Sequence, residues 1–110
     1  MTDTTSLDPQ DMRGAIRAFP DHLLTGWEAA AGADHLHVYE GIDGVVLCGM
    51  GGSAIGGDLV RALAAAHARV PFVVSRDYTL PAWVGPRTLV VASSYSGGTE
   101  ETLSAYGEAV

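Results

Sequence analysis

The chain is 110 residues long, 47% hydrophobic, with a net charge of -7 at pH 7. That length fits one domain at most, and the apolar content lies well above the disordered range. The acidic balance argues against nucleic acid and against an anionic membrane surface as partners, although it leaves a small anionic ligand open. A single cysteine, Cys48, rules out an intrachain disulfide framework and reads as a small buried hydrophobe on a strand.

Residues 1–7 are polar and expected to fray, and they lack the charged and apolar regions of a signal peptide. No run approaches the ~20 apolar residues that span a membrane, so the sequence reads as cytoplasmic. Asp8-Pro9 reads as a helix start, with aspartate as N-cap and proline at the first helical position. Ile16, Phe19, Leu23, Trp27 and Ala30 recur at helical spacing around Pro20, which predicts two helices or one kinked helix, over 9–18 and 21–31, with an apolar, core-type stripe. Asp34, His35, His37 and Glu40 follow in a mixed stretch. His-x-His without a third ligand at a familiar spacing reads as loop or short strand, not as a metal site.

Four apolar residues, 45–48, read as a buried strand that runs into Gly49-Met50-Gly51-Gly52-Ser53. A helix is predicted from Ser53 to about residue 68, with Ile55, Leu59, Leu63 and Ala66 on one side. Gly56 and Gly57 weaken it by ~1 kcal/mol each unless they permit a close approach. Strand 72–75 follows, with Arg76-Asp77-Tyr78 at its carboxyl end, then a loop over 81–86, strand 88–92, and a helix beginning near Gly98. Uninterrupted apolar strands alternating with helices predict an α/β, doubly wound parallel sheet. Three strands and a last helix without a C-cap also read as the front part of a longer protein.

Two loops stand at carboxyl ends of strands, where open α/β sheets bind ligands: the glycine loop, and Ser93-Ser94-Tyr95-Ser96-Gly97-Gly98-Thr99. Ser53, Ser94, Ser96 and Thr99 offer short hydroxyl donors. Gly51, Gly52, Gly97 and Gly98 allow backbone amides to approach the same oxygens, so a phosphomonoester can be held at a helix start without lysine, arginine or Mg²⁺. Each hydroxyl taken singly also reads as a helix cap. The glycine loop fits a loose dinucleotide pattern with Asp77 as ribose ligand, but that leaves the serine loop unexplained. No Gly-Lys-Ser/Thr is present for a P-loop.

Gly49-Met50-Gly51-Gly52-Ser53 with Gly57-Asp58-Leu59, and the serine loop with Thr99-Glu100-Glu101-Thr102-Leu103, resemble the sugar isomerase (SIS) superfamily. More narrowly they resemble the bifunctional phosphoglucose/phosphomannose isomerases, with support from Phe19-Pro20 and Arg76-Asp77-Tyr78-Thr79-Leu80-Pro81; the likeness runs over about residues 10–110. The resemblance implies a flavodoxin-like SIS fold, with an N-terminal helical segment over 1–40 and a first, incomplete SIS domain over 41–110. It also implies a second SIS domain elsewhere, a homodimer, and no metal or redox cofactor. It maps the phosphate ligands onto Gly52, Ser53, Ser94, Ser96 and Thr99, supported by Gly51, Gly97 and Gly98. The reaction implied interconverts glucose 6-phosphate or mannose 6-phosphate with fructose 6-phosphate through an enediol. Its glutamate base and ring-opening histidine belong to the second domain, so this chain alone is expected to be inactive. A regulatory SIS module that binds a phosphosugar without catalysis fits the same loops. Gly98 stands where the family usually has asparagine. Glu100 and Glu101 read as partners of a helix dipole, and His22, His35, His37 and His67 match no catalytic motif of the family.

Overall fold

The computed structural model describes residues 7–33 and 39–110. Two compact units divide the chain between Val38 and Tyr39. The first holds α1 (Met12–Arg17) and α2 (Phe19–Ala31). Helix α1 starts later than Asp8-Pro9 predicts. Asp11 is its N-cap and accepts from the Gly14 N–H at 3.2 Å. Asp8, a turn upstream, still serves the helix, since its carboxylate accepts from the N–H groups of Met12 (2.7 Å) and Arg13 (2.8 Å). Pro20 sits in the first turn of α2, where its missing N–H costs nothing, so it starts a helix. Neither helix buries a residue, and Trp27 is 75% exposed. Two short helices cannot enclose their own apolar stripe, so the core expected along it is not formed within this unit. Residues 1–6 and the Asp34, His35 and His37 of the mixed stretch lie outside the described residues.

The second unit is an α/β layer built on β1 (Gly44–Cys48), β2 (Phe72–Ser75) and β3 (Thr88–Ala92), with α3 (Gly51–Ala64) and α4 (Glu100–Ala109). All pairings are parallel, in the order β2-β1-β3, with Val46 beside both Val73 and Val90. The first strand therefore lies in the middle, and the chain reverses its direction of winding after β2. Successive side chains of β1 point to opposite faces. Leu47 meets α3, because a Cβ on Gly57 would lie 2.9 Å from Leu47 and 3.2 Å from Val74. Val46 and Cys48 form a cluster with Ala105 of α4, ringed by Leu80, Val84 and Val90. Helices thus cover both faces, as the doubly wound reading requires.

One helical face departs from the sequence pattern. In α3 the buried residues are Ala54 and Gly57, whereas Ile55, Leu59 and Leu63 are exposed. Small residues let the helix axis come close to Leu47 and Val74, and the larger side chains are left on the flank. Close helix–strand approach thus explains Gly57; Gly56 faces open space. The loop 76–87 takes the place of a crossover helix. It lays Trp83 against Gly44, and Thr88 Oγ1 accepts from the Gly85 N–H at 3.1 Å.

Cys48 is buried, and burial first, then the charge of Glu108, pushes its thiol above the usual value of 9.0. A protonated thiol is a poor nucleophile. Iodoacetamide at pH 8 should therefore label the folded protein far more slowly than the denatured one, as mass spectrometry will read. The linkage has a definite sign: above about pH 9 the unfolded thiol ionises while the folded one does not, so stability falls as pH rises. A Cys48→Ala variant should lose less stability between pH 8 and pH 10 than its parent.

Candidate functional site

The carboxyl ends of the three strands lie side by side: the Ser93 N–H, after β3, donates to the Cys48 carbonyl of β1 at 2.8 Å, and the Gly49 N–H, after β1, to the Ser75 carbonyl of β2 at 3.1 Å. Gly49 fills the crossing point. A Cβ there would sit 3.0 Å from the Ser93 carbonyl oxygen and 3.4 Å from the Ala54 nitrogen, both backbone atoms. Gly51 enters α3 at φ 50° and Gly97 turns the serine loop at φ 72°, conformations that favour glycine.

Helix α3 begins at Gly51, two residues ahead of the predicted start, and its N-cap Met50 supplies no side-chain bond. Thr99 is the N-cap of α4 and makes none either. Thr99 thus holds the cap position without making a side-chain cap bond, and Ser53 lies inside the first turn of α3. Two helices of 14 and 10 residues present first-turn amides that no N-cap side chain satisfies, at the same edge of the sheet. Each adds the positive end of its dipole.

The hydroxyls bond to loop backbone and to one another. Ser53 Oγ accepts from the Tyr95 N–H at 3.3 Å, joining the two loops. Ser94 Oγ accepts from the Gly97 N–H at 3.0 Å and pairs with Thr99 Oγ1 at 2.8 Å and, more loosely, with Ser96 Oγ at 3.5 Å. Ser96 Oγ accepts from the Gly98 N–H at 3.2 Å. A hydroxyl that accepts from an amide still has its own O–H to give. Ser53 and Ser96 are therefore polarised donors, each with an N–H behind it.

A cavity of about 620 Å³ opens between the loops, lined by Met50, Gly52, Ser53, Tyr95, Ser96 and Thr99. Four of the five residues expected to hold phosphate reach it. Ser94 stands behind them, half-buried, and braces the loop through Gly97 and Thr99. Met50 and Tyr95 were not legible as lining residues; the only signal was their position inside the two loops.

Among the described residues, no basic side chain lines the cavity. Arg76 at the end of β2 pairs with Asp58 of α3, and Arg87 with Asp43 at 3.3 Å. Glu100 and Glu101 occupy the first turn of α4, and their charges, Glu101 first, push the Tyr78 phenol above its usual value. Among the described residues, no group of three His, Cys, Asp or Glu side chains is placed to hold a metal, and no helix is long and apolar enough to cross a membrane. A second cavity of about 400 Å³ lies at the other end of β3. Its one ionisable group, Glu108, accepts from the Leu80 N–H at 2.7 Å, so it offers an anion nothing.

The chain is 60% identical over 95 residues, 86% of its length, to a bifunctional phosphoglucose/phosphomannose isomerase of Caldicellulosiruptor bescii. It is 48% identical over 68 residues to the protein of that name from Aquifex aeolicus, and 46% over 66 residues to one from Thermoplasma acidophilum, covering 61% and 60% of this chain. It spans about 28% of the length of the first relative, and 21% and 20% of the others. No family model and no solved structure matches the chain.

Proposed function

This chain is homologous to part of the bifunctional phosphoglucose/phosphomannose isomerases, and from that premise we propose that its two loops hold the phosphate of a hexose 6-phosphate. The carrying observation is the convergence of Ser53, Ser96, Thr99 and the Gly52 backbone on one cavity at two uncapped helix starts. A phosphate dianion needs several charge-assisted hydrogen bonds. Hydroxyls backed by amides supply them with fixed geometry, and the two dipoles lower the cost of gathering the charge. Ser94 keeps the loop in shape, with Gly97 and Gly98 donating to hydroxyls of their own loop.

In the reaction we assign to the whole protein, glucose 6-phosphate or mannose 6-phosphate and fructose 6-phosphate interconvert through an enediol. The role of this chain is to fix the substrate by the end remote from C1 and C2. Binding energy gathered at the phosphate then orients the reacting carbons, which is how remote contacts raise turnover. The base and the ring-opening histidine belong to residues outside these 110, in a second SIS domain of a homodimeric, cytoplasmic enzyme. Glu100 and Glu101 serve the α4 dipole and take no part in proton transfer.

The test is a titration followed by amide chemical shifts. Fructose 6-phosphate and glucose 6-phosphate should each saturate shifts at Ser53, Gly97 and Gly98, while unphosphorylated fructose should leave them unmoved. Saturation of the same amides by NADH, with no response to either ester, would overturn the proposal in favour of a dinucleotide site.

A further inference from the structure

The cavity between the loops has two kinds of wall. Gly52, Ser53, Ser96 and Thr99 bring hydrogen-bonding groups to it, and Met50 and Tyr95 are the lining residues with larger, partly apolar side chains. Tyr95 is fully exposed, although its N–H is tied to Ser53 Oγ at 3.3 Å. Its backbone is thus held by one of the hydroxyls that line the cavity, while among the described residues no side chain covers its ring. Bare phosphate, the volume of a few waters at about 30 Å³ each, would leave most of the 620 Å³ empty. The volume lies within the range of sites built for a carbon-bearing ligand, about 300–1,000 Å³.

Resting on the phosphate reading above, we infer that Tyr95 determines specificity by packing on the carbon skeleton of a carbohydrate phosphate. The ring offers an apolar face to the C–H groups of a sugar. Ser53 couples the two functions, since the hydroxyl that faces the anion also fixes the backbone carrying the ring. The site therefore separates an ester from free phosphate, not merely phosphate from other anions.

Calorimetry on the whole protein, with fructose 6-phosphate and inorganic phosphate as separate titrants, tests this. Tyr95→Ala should weaken fructose 6-phosphate about three- to tenfold, the usual worth of an aromatic contact, and leave inorganic phosphate within about twofold. Tyr95→Phe should keep the parent's affinity for both, because the ring face makes the contact. Equal weakening of both titrants by Tyr95→Ala would show that Tyr95 only shapes the loop, and no change in either would show that it touches no ligand. A changed oligomeric state by light scattering would make the ring part of a protein interface, against the inference. Should the parent bind neither titrant, the phosphate reading itself fails, an outcome distinct from any of these.

Discussion

Replacing Ser53 or Ser96 by alanine is expected to weaken binding of hexose 6-phosphates about ten- to hundredfold. A hydrogen bond to a charged group is worth about 1.5–3 kcal/mol, and each tenfold corresponds to about 1.4 kcal/mol. Both hydroxyls line the cavity and both already accept from a backbone N–H, of Tyr95 and Gly98 respectively. Their loss removes a polarised donor and also strands an amide. Ser94→Ala should differ in kind. Its hydroxyl bonds to Gly97 and Thr99 and does not line the cavity, so its loss should loosen the loop. Hydrogen exchange at Gly97 should then rise along with the dissociation constant, whereas Ser96→Ala should leave Gly97 protected. Fructose 6-phosphate KM in the whole enzyme, or Kd by calorimetry, is the readout. Unchanged values in both Ser53→Ala and Ser96→Ala would remove the phosphate site from these loops.

Gly49→Ala should damage fold and site together. The new methyl would press on the Ser93 carbonyl oxygen at 3.0 Å, and backbone cannot swing aside as a long side chain can. Overpacking of this kind costs about 1–3 kcal/mol. For a domain of this size that lowers Tm by roughly 4–8 °C for each kcal/mol. The strain also falls at the point where β1 delivers the glycine loop beside the serine loop, so the cavity should widen and hexose phosphate affinity drop. Gly56→Ala is the matched control. It lies inside α3 with nothing within 4 Å of its Cβ position, so the higher helix propensity of alanine should raise stability by up to ~1 kcal/mol. Thermal denaturation of the two variants should therefore move in opposite directions.

Much of the frame is legible in the sequence. Strands 72–75 and 88–92 match β2 and β3 residue for residue, because short apolar runs bounded by Pro71, Arg76, Arg87 and Ser93 have few other uses. The two loops are legible as well, since clusters of glycine and serine at strand ends leave a characteristic local signal. Pro20 and Asp8 are weaker guides. Pro20 fits either a kink or a helix start and proves to lie in the first turn of α2, and only the hydrogen bonds of Asp8 and Asp11 decide where α1 begins.

The buried face of α3 could not be read from hydropathy. Ile55, Leu59 and Leu63 have the stronger apolar signal, yet Ala54 and Gly57 are buried, because how closely a helix approaches a sheet depends on the side chains it meets there. The arrangement of the hydroxyls was equally hidden. Ser53, Ser94, Ser96 and Thr99 are alike as residue types, and only the path of the loop turns Ser94 inward and the others toward the cavity. By itself the sequence determined the order of strands and helices and the glycine- and hydroxyl-rich loops at the strand ends, since both follow from local patterns of apolar, glycine and hydroxyl residues. Tertiary structure alone decided the 2-1-3 strand order, the meeting of the two loops and the exposure of Tyr95 at their rim. Each depends on contacts between residues far apart in the chain, such as the 42 positions from Ser53 to Tyr95, which no local pattern records.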